Sequence, residues 1–361
     1  MRAIQALVPA GAVLLSGSRG ADLHASSADV DLVVVVRGDD RAAAFNALAA
    51  ALEACRVGVL HVLRSAYTPV IKLLWNGTLP VDIIVAATPD AIQCEEWIAL
   101  WTARALPEHQ LARAHMDDAS LRAINSLRVC ALLGRQPESV KQVMREARAW
   151  ARARGLYGSQ LGFWGGVAWS LFVLYTRATS LREVLASLLA HAWPQPLFFE
   201  DNERAEEADE PDDKEEEENE VVGEERDRAC VCAIYTPALP RMNCTFTCNV
   251  ITLREMQLQA EDTLAGDVGG ALATKHAVHI TCASYAVRDL VMTRARHLLL
   301  ALERPDVFVR PCARFSARGV MSWGLQPLPG AWTAALQSEL EATAREWCAR
   351  ACSGAATVSI V

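Results

Sequence analysis

The chain has 361 residues, 52% hydrophobic and 22% charged. That is a globular composition, too long for one small core, so two or three domains are expected. No run approaches the roughly 20 apolar residues that span a bilayer; the longest are short, such as Leu32–Val36. The start, Met1-Arg2-Ala3-Ile4, has no signal-peptide layout. The expectation is a soluble intracellular protein with no membrane partner. The net charge of −8 is unevenly spread: residues 200–228 hold 17 Asp/Glu against 4 Lys/Arg, a local −13 that leaves +5 for the other 332 residues. A mildly basic body with an acidic insert is compatible with a polyanionic ligand. The 11 cysteines are odd in number and form no CxxC with a matching His pair, so free thiols are expected rather than a structural zinc site.

In chain order, Ala12–Ser16 is a short apolar run that stops at Gly17-Ser18. Val30–Val36 is β-branched with no helical period and predicts a buried strand. Asp39–Cys55 is Ala-rich and helical, with Asp39 or Asp40 as N-cap. Val57–Leu63, Thr68–Trp75 and Val81–Ala86 predict three more strands, and Asn76-Gly77 a hairpin. Helices are predicted over Ala91–Ala105, Ser120–Leu133, Ser139–Arg154 (closed by Gly155), Val167–Thr176 and Ser180–His191. Residues 200–228 lack aromatics and read as a disordered insert. Ile234–Leu253 has β character and Thr252–Ala265 is helical. Ala277–Cys282, Val307–Phe315 and Val320–Leu325 predict strands, and Ala286–Glu303 and Ala331–Arg350 helices, which suggests a small α+β sandwich.

The chemistry concentrates in the first α/β segment. Gly17-Ser18 follows a strand, and its amides and hydroxyl suit a phosphate. Asp29 and Asp31 are two apart, so both carboxylates face one side while Val30 faces the other. Asp82 opens the strand Val81–Ala86. Buried strands rarely carry Asp, because an unpaired buried carboxylate is costly. Three carboxylates beside a phosphate-binding turn are what two divalent ions need to clamp an in-line phosphoryl displacement.

Gly17-Ser18 followed by Asp29-Val30-Asp31 resembles the signature of the DNA polymerase β-like nucleotidyltransferase superfamily. Further phrases resemble eukaryotic nuclear poly(A) polymerases. These are Tyr67-Thr68-Pro69-Val70-Ile71-Lys72-Leu73, Val81-Asp82-Ile83, Ile124-Asn125-Ser126-Leu127-Arg128-Val129, and Leu161-Gly162-Phe163-Trp164-Gly165-Gly166-Val167-Ala168-Trp169. Trp193-Pro194-Gln195-Pro196, Tyr235-Thr236-Pro237-Ala238-Leu239-Pro240 and Arg296-His297-Leu298-Leu299 continue the likeness, which runs in order over roughly residues 13–325.

The resemblance implies an α+β multidomain fold. Residues 1–115 would be a nucleotidyltransferase catalytic domain, 116–250 a helical central domain carrying the insert 200–228, and 251–361 an RRM-like RNA-binding sandwich. It implies polyadenylation of RNA 3′ ends with ATP as substrate. Asp29, Asp31 and Asp82 would be the catalytic ligands of two Mg²⁺ or Mn²⁺ ions. Ser16, Gly17 and Ser18 would face the triphosphate. Lys72, Asn125, Arg148, Tyr157, Gly165, Gly166 and Val167 would contact nucleotide or primer. It further implies a nuclear monomer working with RNA and cleavage/polyadenylation factors. Arg148 stands where the family has Lys, and Ser159 where it has Asn, which bears on nucleotide choice. Two other readings stay open: a terminal transferase of relaxed nucleotide choice, and a catalytically impaired RNA-binding paralogue.

Overall fold

The computed structural model describes the chain except residues 10, 25–27, 56–57, 65–67, 89–115, 199–229, 238–240, 267–273, 316–319, 353–354 and 361. The expected helix Ala91–Ala105, the insert 200–228, and Tyr67 and Ala238-Leu239-Pro240 of the motif phrases lie outside the described residues. The chain forms two compact units of mixed α+β structure, the first built on Met1–Lys141 with Thr236–Met242, the second on Gln142–Phe198 and Asn243–Val361 with the residues up to Tyr235.

The first unit opens with helix α1 (Arg2–Leu7), which has no counterpart among the sequence expectations. Gln5 ties it down, accepting from the Val13 amide at 3.0 Å and donating to the Gly11 carbonyl at 2.7 Å. Then follow β1 (Ala12–Ser16), the helical turn α2 (Gly17–Gly20), β2 (Val30–Arg37), α3 (Arg41–Ala54), β3 (Gly58–Leu63), β4 (Val70–Trp75) and β5 (Leu79–Thr88). Asp40 caps α3 by accepting from the Ala43 amide. Asn76 and Gly77 take positive φ, 51° and 72°, and the Thr78 amide closes their turn on the Trp75 carbonyl. The strands form one sheet in the order β1-β2-β5-β4-β3, with β2 and β5 parallel and the other pairs antiparallel.

Period-two alternation splits this sheet into two faces. Leu32, Val34, Ile71, Leu73, Val81, Ile83 and Val85 pack with Phe45, Leu48, Ala49 and Leu52 of α3. Each such fully buried aliphatic or aromatic side chain contributes roughly 1.5–3 kcal/mol. The other face sets Val33, Val35 and Ala86 against Ala123 and Ile124 of α4 (Asp118–Gly134). Three bonds cap and fix the start of α4 there. Asp117 accepts from the Ser120 amide at 2.8 Å and from Arg41 Nε at 2.5 Å. Ser120 Oγ in turn accepts from the Ala87 amide at 2.9 Å. Burial pushes the Asp117 carboxyl up, but the bonds from Ser120 and Arg41 outweigh it and hold the group below its usual range.

The second unit contains most of α5 (Glu138–Ala153), then α6 (Gly166–Thr176) and α7 (Leu181–Ala190). Gly155, at φ 72°, closes α5 as its spacing predicts. Trp164 and Trp169 are fully buried, with ring centroids 4.8 Å apart. The remainder is α8 (Val250–Leu264), β6 (His276–Cys282), α9 (Tyr285–Leu302), β7 (Val307–Phe315), β8 (Val320–Pro327), α10 (Ala334–Cys352) and β9 (Ala356–Ile360). The second sheet runs β7-β8-β6-β9 and is antiparallel throughout.

The β character expected over Ile234–Leu253 is not realised as a strand. Among its described residues the stretch makes isolated bridges, such as Ile234 with Leu197 and Tyr235 with Asn243, before α8 begins. Pro237 cannot donate to a ladder. The Thr245 hydroxyl donates to the Cys232 carbonyl and accepts from the Ile234 amide, doing with a side chain what a strand would do with its backbone. Asn249 then starts α8 with a capping box, accepting from the Ile251 and Thr252 amides. No helix among the described residues is long and apolar enough to cross a membrane.

Candidate active site

The register of the first sheet lines up the polar residues of its second face. Ser16 pairs with Asp31, Asp31 with Asp82, Asp82 with Lys72 and Lys72 with His61. Direct partners on neighbouring strands point the same way, so Ser16, Asp31, Asp82 and Lys72 form one row across four strands. Asp29, just before β2, lies close enough to act on Asp31 electrostatically.

The row carries excess negative charge. Asp31 is pushed up to about 6, first by burial, then by the carboxylates of Asp82 and Asp29, with Lys72 opposing. Lys72 Nζ donates to Asp82 Oδ2 at 2.5 Å. Gly17 sits against the row at φ 59°, and a Cβ there would lie 1.9 Å from Asp31 Oδ2. Only glycine therefore permits this close approach of turn and carboxylate.

The turn is braced from several sides. The Ala21 and Leu23 amides donate to the Gly17 and Ser18 carbonyls. Arg19 donates to the Ala28 carbonyl at 2.7 and 3.1 Å and to the Asp29 carbonyl at 3.3 Å, holding the segment that presents Asp29. On α4, Ser126 Oγ lies 3.3 Å from Ser16 Oγ, and the Cys130 thiol donates to the Gly17 carbonyl at 3.6 Å. Asn125, buried on α4, donates to Thr236 Oγ1 at 3.2 Å, and the same hydroxyl accepts from the Met242 amide. Its amide thus helps to hold the short 236–242 segment.

Among the described residues no group of three or more His, Cys, Asp or Glu side chains is arranged to hold a metal ion. The donor chemistry nevertheless fits hard divalent cations: carboxylate oxygens share one face, their mutual repulsion registers on Asp31, and the missing Gly17 side chain leaves Asp31 Oδ2 approachable.

The other expected contacts belong to the second unit and gather at the start of α6. A Cβ on Gly166 would lie 2.6 Å from the Tyr157 hydroxyl and 3.1 Å from Arg148 Nη2. Nothing lies within 4 Å of a Cβ on Gly165, and Val167 is 40% exposed. No side chain caps the helix at Gly165. Arg148 is buried, and burial lowers its pKa, as do Arg152 and Arg145, while Tyr157 opposes the shift. Arg152 donates to the Tyr157 hydroxyl at 2.8 Å and places its guanidinium 4.1 Å from the ring centroid. A helix start beside several guanidiniums suits an anion.

Arg19, Ser126, Cys130 and Arg152 are not among the sequence candidates. Arg152 had a signal, four residues beyond Arg148 and so on the same helix face. Arg19 had a weaker one, a cation inside the Gly17–Gly20 turn. Ser126 had one in its place within the Ile124–Val129 phrase, and Cys130 had none, since only the packing of α4 brings it to the turn.

Known proteins bear on this arrangement. The poly(A) polymerase central domain matches residues 139–268. Nuclear poly(A) polymerase 4 of Arabidopsis thaliana is 28% identical over 272 residues, 71% of this chain and 34% of that protein. A poly(A) polymerase of Dictyostelium discoideum is 26% identical over 206 residues, 54% of this chain and 23% of that one. The chain thus spans about a third or less of the length of these relatives. Among solved structures, Cid1 in complex with its short product ApU has a TM-score of 0.48 at 13% identity, over 73% of this chain and 82% of that one. A cytoplasmic RNA terminal U-transferase has a TM-score of 0.47 at 14% identity, over 73% and 84%. The motif phrases in order, the matched central domain and the two relatives agree in supporting a member of the poly(A) polymerase family.

Proposed function

We propose that the chain is a template-independent RNA nucleotidyltransferase that adds AMP from ATP to RNA 3′ ends. The observation that carries this reading is the in-register pairing of Asp31 with Asp82, with Gly17 pressed against Asp31 Oδ2. A strand pair that gathers like charges in this way, beside a turn no side chain can enter, is costly unless it serves a cationic ligand.

In this reading the primer's 3′-hydroxyl oxygen forms a bond to the α-phosphorus of ATP. The α-phosphorus–oxygen bond to the leaving pyrophosphate breaks, and the hydroxyl proton passes to solvent water. Asp29, Asp31 and Asp82 would hold two Mg²⁺ or Mn²⁺ ions. Bound there, such ions neutralise triphosphate charge and acidify the attacking hydroxyl. Ser16, Gly17 and Ser18 face the triphosphate. Lys72 balances the charge on Asp82 through its Nζ–Oδ2 bond and lies in the row where primer or nucleotide would contact it. Arg148, Tyr157 and the Gly165-Gly166-Val167 helix start contact the nucleotide. Asn125 serves as a polar contact, and its bond to Thr236 orients it.

The division into a catalytic domain (1–115), a central domain (116–250) and an RRM-like domain (251–361) is part of the proposal. The β-α-β-β-α-β order of β6 to β9 and their sheet order support the last of these. So are action on RNA as a nuclear monomer and work alongside cleavage/polyadenylation factors; the nuclear enzyme among the relatives supports the location.

Primer extension on an RNA oligonucleotide with each of the four nucleoside triphosphates and Mg²⁺ tests this. ATP is expected to be preferred, with measurable GTP or CTP use, because Ser159 offers a hydroxyl where the family has an amide. Ser159→Asn should raise the kcat/KM ratio of ATP over its competitors by about five- to 150-fold, the range for one polar contact that the bound nucleotide desolvates, since Ser159 itself is exposed. Preference for UTP would overturn the adenylyl assignment. An unchanged ratio in the variant would remove position 159 from nucleotide reading.

A further inference from the structure

A run of buried side-chain hydrogen bonds reaches the Tyr157 turn from the second sheet. Gln326 of β8 accepts from Arg310 Nη1 at 2.8 Å. Arg310 of β7 grips Glu255 of α8 with Nε on Oε2 at 2.5 Å and Nη2 on Oε1 at 2.9 Å. Glu255 Oε1 also accepts from Gln259 Nε2 at 3.0 Å. Gln259 Oε1, in turn, accepts from Arg154 Nη1 at 2.7 Å. Arg154 stands just past the end of α5, between Arg152 and Tyr157.

Two features make this more than packing. Gln259 has guanidinium on one side and carboxylate on the other, so only one amide orientation satisfies both, and a flip would set donor against donor. Backbone freedom is high on both sides of the tyrosine, since Gly155 and Gly158 take φ of 72° and 116°. Leu156, between them, is anchored by burial, and Arg154, just before Gly155, by the relay.

We propose that Glu255 and Gln259 are positioning residues that, through Arg154, set Tyr157 and Arg152 against the start of α6, so that the second sheet takes part in holding the nucleotide. This rests on the reading of Tyr157 as a nucleotide contact. The relay is cut at its centre by Gln259→Leu, which keeps the side-chain bulk and spares the Glu255–Arg310 pair. Gln326→Leu, at its exposed outer end, disturbs folding least.

The measurement is amide hydrogen exchange in the full chain, with primer-extension kinetics beside it. Gln259→Leu should speed exchange of amides 156–158 about tenfold, the scale of one or two lost hydrogen bonds. Exchange in α10 should stay within about twofold. KM for ATP should rise by a similar factor while kcat holds within about twofold. Gln326→Leu should speed the same amides about two- to threefold. Unchanged exchange at 156–158 in both variants, or acceleration spread equally through α10, would overturn the proposal. If the unaltered chain extended RNA with no nucleotide, the functional reading alone would fail, and exchange at 156–158 would still decide the positioning claim.

Discussion

Asp31 shows how one side chain carries several demands at once. It lies in a β-branched strand, pairs directly with Asp82, and admits only glycine at position 17 beside it. Its carboxyl is pushed up to about 6, whereas in an unfolded chain it would titrate near its ordinary value of 3.8. Between those values the folded protein keeps a proton the unfolded chain has released, so stability falls as pH rises through that window. The cost at neutral pH is up to about 3 kcal/mol. Asp31→Asn should therefore be more stable than the unaltered chain at pH 7 in the presence of a chelator, and the difference should shrink towards pH 4. Urea midpoints of both proteins across that range measure it, and parallel curves would contradict the account. The three aspartates were legible because a carboxylate among β-branched residues needs a reason. The Lys72–Asp82 bond was not, because it depends on cross-strand register, which local sequence does not encode.

Elements were legible where one signal dominated. Val30–Val36 has no helical period and is a strand, and Asp40 caps α3. The 234–253 stretch misleads because Thr, Cys and Val favour strands, whereas Pro237 and the bonds of the Thr245 side chain remove the ladder. β9 escaped notice as five residues of mostly small side chains, given strand form by pairing with β6. The capping box at Asn249 starts the helix that carries Glu255 and Gln259. Asn249→Ala removes the acceptor for the Ile251 and Thr252 amides and should cost about 1 kcal/mol. Thermal unfolding should show a fall of about 2–4 °C. An unchanged midpoint would mean that the packing of α8 alone sets its start.

At the scale of the whole molecule, the expected residues fall into two sets, each coherent within its own unit. The aspartate row and the Gly17 turn belong to the first, and the Arg148–Tyr157–Gly166 cluster to the second. The motif phrases contain members of both sets, with Asp31 in β2, Asp82 in β5, Asn125 within α4 and Gly165-Gly166 at the start of α6. The bonds that hold the two sets in shape, Arg19 on the Asp29 segment and the relay behind Arg154, run through residues no motif contains. The central claim is that the aspartate row performs nucleotide transfer, and the rate of RNA extension by Asp82→Asn against the unaltered chain tests it most directly. Loss of several kcal/mol of transition-state stabilisation predicts a fall of at least a few hundred-fold, at about 1.4 kcal/mol per decade, with the thermal midpoint no lower. Extension by Asp82→Asn at the unaltered rate would contradict the account.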